Sequence, residues 1–534
     1  MQDGPLVRIV VVGAGVGGLA AGVRLAAAGH KVVVLERAQA PGGKAGRLEL
    51  SAATTPAGAG ERFRFDTGPS LLTMPWVLRE LFAATGAPLE AELELLRVEP
   101  VTRYRFADGS QVDLSADLPR ALEALEAWAP GTSADWTRFL GVCASMWGAA
   151  VPFLTGPPPW PPRRPRPGEP APNPLDGLRV RPWHTLSSLA ARCTDDPRLR
   201  MVIERFATYA GADPRRAPAA LAIAGWVEHA HGAWHPRGGM YELVRALTRR
   251  LEAVGGELRT GVAVRGLVVR ERRIREVVTD AGSEPCDTVV SNLEPEVTRA
   301  LVKAGGGTAP RAGARWPGAA LRAGGALGGL MTRRAGPAVG AAAAPRDPTV
   351  SGLALMLALR GRPDGLVHHR IAFPADYAAE FDDVLVARRP AREPTVYLSS
   401  SCATDPAEAP ADGENLFVLV NAPGDAGQDW TAEEDRVLER LDAVGWGVRE
   451  RIVARARRSP ADLERETGAT AGHIYGQVAP HGRLRGSLRR PGNVSPDAEG
   501  LYLVGGAVHP GGGLPLVVLG AGIVAQAIGP AADG

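Results

Sequence analysis

A glycine triplet wedged between a β-branched run and an alanine-rich run constrains this chain more than any other feature. Residues Ile9-Val-Val-Val-Gly-Ala-Gly-Val-Gly-Gly18 lead an apolar strand straight into a turn in which Gly13, Gly15 and Gly18 keep the spacing G-x-G-x-x-G. The first glycine permits the tight turn, the second lets backbone approach a pyrophosphate, and the third packs the next helix on the strand. Ala14 and Gly17 complete the turn, and the helix start offers its free N–H groups and positive dipole end to phosphates. Arg8 to Val12 reads as a short buried parallel strand, Leu19 to Ala28 as a helix closed by Gly29, and Lys31 to Leu35 as the second strand. Glu36 ends that strand, where a carboxylate binds ribose hydroxyls and repels a 2′-phosphate. The unit predicts a Rossmann-like dinucleotide-binding domain that disfavours NADP.

The same rhythm returns near the other end, in Gly500-Leu-Tyr-Leu-Val-Gly-Gly-Ala-Val-His-Pro-Gly-Gly-Gly-Leu-Pro515. Leu501 to Val504 reads as a last strand, and the loop carrying Gly505, Gly506, His509, Pro510, Gly511, Gly512, Gly513 and Pro515 opens a helix near Leu516. Backbone N–H groups there would face a flavin pyrimidine ring and stabilise the charge that builds up on its reduction. A ligand gripped at both ends of a chain is long, which points from nicotinamide cofactors towards FAD. His509 titrates near neutrality and invites a catalytic reading; packing beside the loop is the favoured one.

Of the 534 residues, 45% are hydrophobic and 22% charged, the balance of a folded protein with room for two or three domains. A net charge of +3 lacks the electrostatic footprint of a nucleic-acid binder. Cys143, Cys193, Cys286 and Cys402 form no paired motif, so neither disulfides nor a metal site are expected, and a reducing cytoplasm fits. No run of about twenty uncharged apolar residues is seen, so no membrane-spanning helix is expected.

Strands and helices interleave without a repeat, predicting a composite α/β fold. The expected division gives 1–115 to the dinucleotide domain and 116–255 to a mainly helical region. Residues 256–303 return to the dinucleotide domain, 349–480 form a mixed-sheet substrate domain, and 481–534 close the dinucleotide domain. A proline-rich segment, 152–174, is expected to form neither helix nor central strand. Residues 304–348 read as a low-complexity surface excursion. Thr431 to Ala456 reads as one helix with alternating charge.

The sequence Glu36-Arg-Ala-Gln-Ala-Pro-Gly-Gly-Lys-Ala-Gly-Arg47, followed by Phe65-Asp-Thr-Gly-Pro69, resembles the flavoproteins that include amine oxidases and carotenoid desaturases. The His509-Pro-Gly-Gly-Gly513 loop resembles the desaturases of the bacterial phytoene desaturase type. So do Ala233-Trp-His-Pro-Arg-Gly-Gly-Met-Tyr241, Leu366-Val-His-His-Arg-Ile-Ala-Phe373, Tyr377 to Asp383, Asp287 to Asn292 and Glu414 to Val420. The resemblance implies that Arg37, Gly42, Gly43, Lys44, Asp66, Gly68 and Pro69 join the two glycine loops around FAD. It implies hydride transfer from a polyene C–H to the flavin, with phytoene as first-choice substrate and oxygen or a quinone as electron acceptor. Later carotenoid desaturases and carotenoid oxygenases share the last loop, a carotene isomerase is a further alternative, and prenyl-protein escorts share the fold without a working flavin site.

An almost pure hydrocarbon substrate implies an apolar tunnel and peripheral contact with a membrane. Trp160 with Arg163, Arg164 and Arg166 reads either as an anionic-lipid contact or as a basic linker. Asp176 and Arg179 loosely echo an acid–arginine pair proposed to act in relatives; a plain surface pair is the favoured reading. Glu228, His229 and His231 either line a cavity or form a solvated helix end, and the latter is favoured.

Overall fold

The computed structural model describes residues 7–52, 61–158, 176–306, 350–424, 427–476 and 490–531. The proline-rich segment from residue 159 and the low-complexity excursion from residue 307 lie outside the described residues.

Five parallel strands lie in the order Leu501–Leu503, Thr288–Ser291, Arg8–Val12, Lys31–Leu35, Glu257–Arg259. Valine and isoleucine dominate because both faces of the sheet are covered. Ile9, Val11, Val32 and Val34 face helices Val16–Ala27, Tyr241–Ala253 and Leu514–Ile528. Val10, Val12 and Val289 face Leu267, Ile274 and Val277 of a three-stranded antiparallel sheet spanning Val264–Pro285. Thr288–Ser291 pairs with both the first and the last strand, so the two glycine loops leave the same edge of one sheet. In open α/β sheets that edge is where ligands bind.

A seven-stranded sheet stands apart, ordered Ile452–Arg458, Val350–Arg360, Gly413–Pro423, Val396–Ser400, His369–Ala372, Thr102–Arg105, Gln111–Leu114. Leu353, Leu355, Leu357 and Leu359 pack with Val437, Leu438 and Leu441 of helix Trp430–Ala443. The alternate residues Gly352, Ala354 and Met356 line a cavity, and Ala354, Met356 and Ala358 also pack on Phe63 and Phe65. Period-two alternation therefore gives this sheet one face filled by a helix and one that is partly hollow. Helices between 118 and 231 close the cavity, with Trp136, Phe139 and Phe206 in their own core.

Three expectations change. Residues 102–114 belong to the seven-stranded sheet rather than to the dinucleotide domain expected over 1–115. The helix expected over 431–456 stops at Ala443, before Gly445 and Gly447 at φ +81° and +48°, and Ile452–Arg458 is a strand. Its charge pattern imitates a helix because Arg455 and Arg457 both pair with Glu434 of the neighbouring helix. Helix Thr132–Thr155 runs through Pro152 into the proline-rich segment. It is 24 residues long, and an 18-residue window within it has mean hydropathy 1.2, enough in length and composition to cross a membrane, although Trp136, Phe139, Leu140, Cys143 and Met146 are buried in the helical core.

Candidate functional site

Both glycine loops open into one cavity of about 2780 Å³. That is several times the roughly 300–1,000 Å³ of an ordinary small-molecule site, room for a dinucleotide and a long substrate together. Gly13, Gly15, Gly17, Glu36, Arg37, Gly42, Gly43, Lys44, Gly68 and Pro69 line it from the front half of the chain. Gly505, Gly506, His509, Pro510, Gly511, Gly512, Gly513 and Pro515 line it from the back. Helices Val16–Ala27 and Leu514–Ile528 both begin here on glycine N-caps with no side-chain cap. Two sets of unsatisfied N–H groups thus point at one space, the arrangement that suits a diphosphate at one helix and an electron-rich ring at the other.

Asn292, which the sequence reading did not select, joins the halves. Its amide lies so close over Gly15, Gly17 and Gly505 that a β-carbon on any of them would come within 2.6–2.7 Å of it. The Glu36 carboxylate accepts from Ala14 N at 2.8 Å and Ala38 N at 2.9 Å, which aims it along the cavity edge. Arg37 donates to the carbonyls of Arg465 and Glu466 and so ties helix Pro460–Thr467 to the rim. Lys44 Nζ donates to His473 O at 2.5 Å and Ile474 O at 3.0 Å, and burial pushes its pKa down to about 8 against the pull of Glu294. The cradle fits FAD: glycine where backbone must approach, a carboxylate at the end of the second strand, and helix starts at both ends.

Three residues expected at the cofactor sit elsewhere. Gly18 touches the Gly13 carbonyl rather than the cavity, and Ala14 is fully buried beneath the turn. Asp66 faces away from the cavity and accepts from Met240 N at 2.7 Å and Tyr241 N at 3.2 Å, capping helix Tyr241–Ala253. Arg179 is exposed on the four-residue helix Asp176–Arg179, and the Asp176 side chain lies outside the described residues. His509 does reach the wall, but its Nε2 donates to Gly156 O at 2.9 Å and its ring meets Phe153 edge-on. Burial lowers its pKa, as expected of a neutral, packed histidine.

Glu228 corrects the sequence reading, which placed it on a solvated helix end. It is buried on the cavity wall and accepts from Arg205 Nη2 at 2.8 Å and Tyr209 Oη at 2.5 Å. Arg205 also donates to Tyr104 Oη at 2.6 Å.

Desolvation, then the neighbouring Glu408, push the Asp66 pKa up to about 7. A carboxyl whose pKa rises on folding stabilises below its unfolded value, near 3.8, and loses that contribution as pH climbs through about 7. Relative to Asp66→Asn, wild-type protein should therefore lose stability between pH 5 and pH 8, at up to about 1.4 kcal/mol per pH unit. Unfolding curves of both proteins at the two pH values check this; a difference that does not change with pH contradicts it.

Fold and cradle together define an α/β flavin-dependent oxidoreductase. The model of the family described as flavin containing amine oxidoreductase matches residues 16–316. The chain is 31% identical to 4,4'-diapolycopene oxygenase of Methylomonas sp, over 98% of each chain. It is 32% identical to hydroxyneurosporene desaturase of Rubrivivax gelatinosus, over 98% of this chain and 93% of that one. It is 30% identical to zeta-carotene-forming phytoene desaturase of Myxococcus xanthus, over 97% and 93%. The chain belongs to the flavin-containing amine oxidoreductase family. Solved structures with the same fold include an oxidoreductase from Methanosarcina mazei, with TM-score 0.59, 18% identity and 97% and 99% coverage. A triple mutant of putrescine oxidase gives TM-score 0.58, 16% identity and 98% and 99% coverage.

Proposed function

We propose that the protein is an FAD-dependent carotenoid desaturase that converts a CH–CH unit of a long acyclic polyene into a double bond. The observation that carries this reading is the single cavity running from the glycine cradle to the hollow face of the seven-stranded sheet. Ala354, Met356, Ile371, Phe417 and Leu419 offer that substrate apolar wall and little to hydrogen-bond. Bound flavin supplies the two-electron acceptor for the hydride that leaves the polyene. The N–H groups at the start of helix Leu514–Ile528 stabilise negative charge developing beside them, and the apolar wall keeps water from the reacting carbons.

The cradle residues named above, Glu36 and Gly42 to Lys44 among them, are proposed to hold the cofactor, with Asp66 acting through helix Tyr241–Ala253. Purified protein should be yellow, or become so on adding FAD. Expression in a bacterium that accumulates phytoene, followed by pigment chromatography, should show a more unsaturated product. Unchanged phytoene with conversion of neurosporene or lycopene would move the assignment to a later step, and conversion of no polyene would overturn it.

A substrate drawn from the bilayer favours peripheral attachment where the cavity wall reaches the surface. Leu178 lines the cavity while half exposed, and Trp183, between the lining residues Pro182 and His184, is equally exposed. An apolar residue and an indole at one mouth suit the membrane interface. The Leu178→Glu, Trp183→Glu double variant should co-sediment several-fold less with anionic liposomes than wild type; equal sedimentation would place the contact elsewhere.

A further inference from the structure

Behind the cavity wall runs a column of titratable side chains for which the proposed reaction has so far no use. It starts at Ser70, immediately after the Gly68-Pro69 turn, whose Oγ lies 2.5 Å from Tyr397 Oη. Tyr397 Oη lies 2.8 Å from His369 Nδ1, and Ser70, Tyr397 and His369 all face the cavity. The His369 ring centre stands 4.3 Å from that of His368, whose Nδ1 lies 2.8 Å from Thr404 Oγ1, and the His368 ring centre stands 4.8 Å from that of His235. His235 Nε2 is 3.1 Å from Glu408 Oε1. Asp66 meets Glu408 over Gly239, where a β-carbon would lie 3.1 Å from a carboxylate oxygen of each. Asp405 accepts from Gly238 N at 2.7 Å and lies 3.9 Å from Arg237, whose side chain is 54% exposed. The column thus joins the cavity to the outer surface.

Packing alone does not account for these residues. All three imidazoles are buried, and among the described residues no hydrogen-bond partner reaches His235 Nδ1, His368 Nε2 or His369 Nε2. Each such group carries a desolvation cost that leucine or phenylalanine would not. Buried polar groups kept unpaired at that cost mark places where a proton or another polar guest passes.

Resting on the desaturase reading, we propose that Tyr397 and His369 take up the proton the polyene loses, and that His368 and His235 carry it to the Glu408, Asp66 and Asp405 carboxylates. In the step itself one C–H bond breaks with both electrons, leaving as hydride to the flavin. The neighbouring C–H bond breaks with its electron pair remaining to form the second carbon–carbon bond. Its proton goes to the Tyr397 oxygen as the Tyr397 hydroxyl proton passes to His369 Nδ1. The polyene loses one hydride and one proton, the flavin gains two electrons, and the column gains one proton.

A carbon left electron-poor by hydride loss makes the adjacent C–H strongly acidic, so a weak neutral base suffices. Proton affinity is low at the two rings nearest the cavity and higher at the far end. Burial drives His369 down to about 3 and lowers His368 strongly as well, whereas His235, against desolvation, is raised by its bond to Glu408, and Asp66 stands at about 7. The proton is therefore drawn away from the reacting carbon.

The test is anaerobic single turnover of the FAD-loaded enzyme on the polyene that wild type converts, in H2O and D2O, for wild type, Tyr397→Phe and His235→Gln. Flavin content and melting temperature are recorded for each. Tyr397→Phe should turn over at least about 10²-fold more slowly, with substrate binding little changed. His235→Gln, which touches no substrate, should slow turnover and diminish the D2O effect. Wild type slower in D2O supports the relay, and equal rates in both solvents overturn it without any variant. A flavin-loaded Tyr397→Phe protein at full rate also overturns the relay while leaving the desaturase reading intact. Wild type that oxidises no polyene overturns both.

Discussion

Gly68→Ala should yield a protein that melts early and binds little flavin. A β-carbon at Gly68 would sit 1.9 Å from the Lys44 carbonyl oxygen and 3.0 Å from its carbon. Both are backbone atoms, so no side chain can rotate to relieve the clash. Lys44 belongs to the loop after Glu36, and Thr67 N donates to Gly46 O at 2.9 Å just beside it. Relief must therefore push apart two segments that line the cradle. Overpacking usually costs about 1–3 kcal/mol, and a backbone clash belongs at or above the upper end. Gly141→Ala is the control: nothing lies within 4 Å of its β-carbon and it sits inside helix Thr132–Thr155. It should be neutral or stabilise by up to about 1 kcal/mol. Thermal melts and flavin absorbance of the two variants side by side check both, and a normally yellow, stable Gly68→Ala protein would contradict the cradle geometry.

Glu228→Ala should be the most damaging single truncation on the cavity wall. The Arg205 and Glu228 side chains are 6% and 10% exposed, and among the described residues the guanidinium has no other carboxylate in contact. Removing one partner of such a pair leaves an uncompensated buried charge, at a cost of about 3–5 kcal/mol. Removing both should hurt less, because the desolvation penalty disappears with the charges. Arg205→Met with Glu228→Leu is therefore expected to melt above Glu228→Ala. A double variant no more stable than the single one would mean that the pair does more than neutralise itself, for instance by holding Tyr104 and Tyr209 in place.

The parallel strands were legible because strands buried on both faces must be short, β-branched and bounded by turns. Arg8–Val12 and Lys31–Leu35 have the expected bounds. The glycine loops were legible because few backbones need glycine at that spacing. Asp66 was misplaced because its partners, Met240 and Tyr241, are supplied by a helix start far along the chain. Glu228 was misread for the same reason: the charge that allows its burial comes from Arg205, on a neighbouring turn with no periodic relation to it. Residues 452–458 were misread because alternating charge along an edge strand looks like a helix face until its partner Glu434 is in view.

The sequence by itself determined the strand–turn–helix unit, the acidic residue after it and the glycine loop at the far end, since each follows from contacts within a few residues. It carried the mixed α/β fold and the flavin family on the same local signals. Only the tertiary structure decided that the two loops share one sheet edge, that Asn292 bridges them, and that Ser70, Tyr397 and three histidines align from cavity to surface. Such arrangements depend on which strands pair and which helices cover them, and pairing over hundreds of residues leaves no spacing to read.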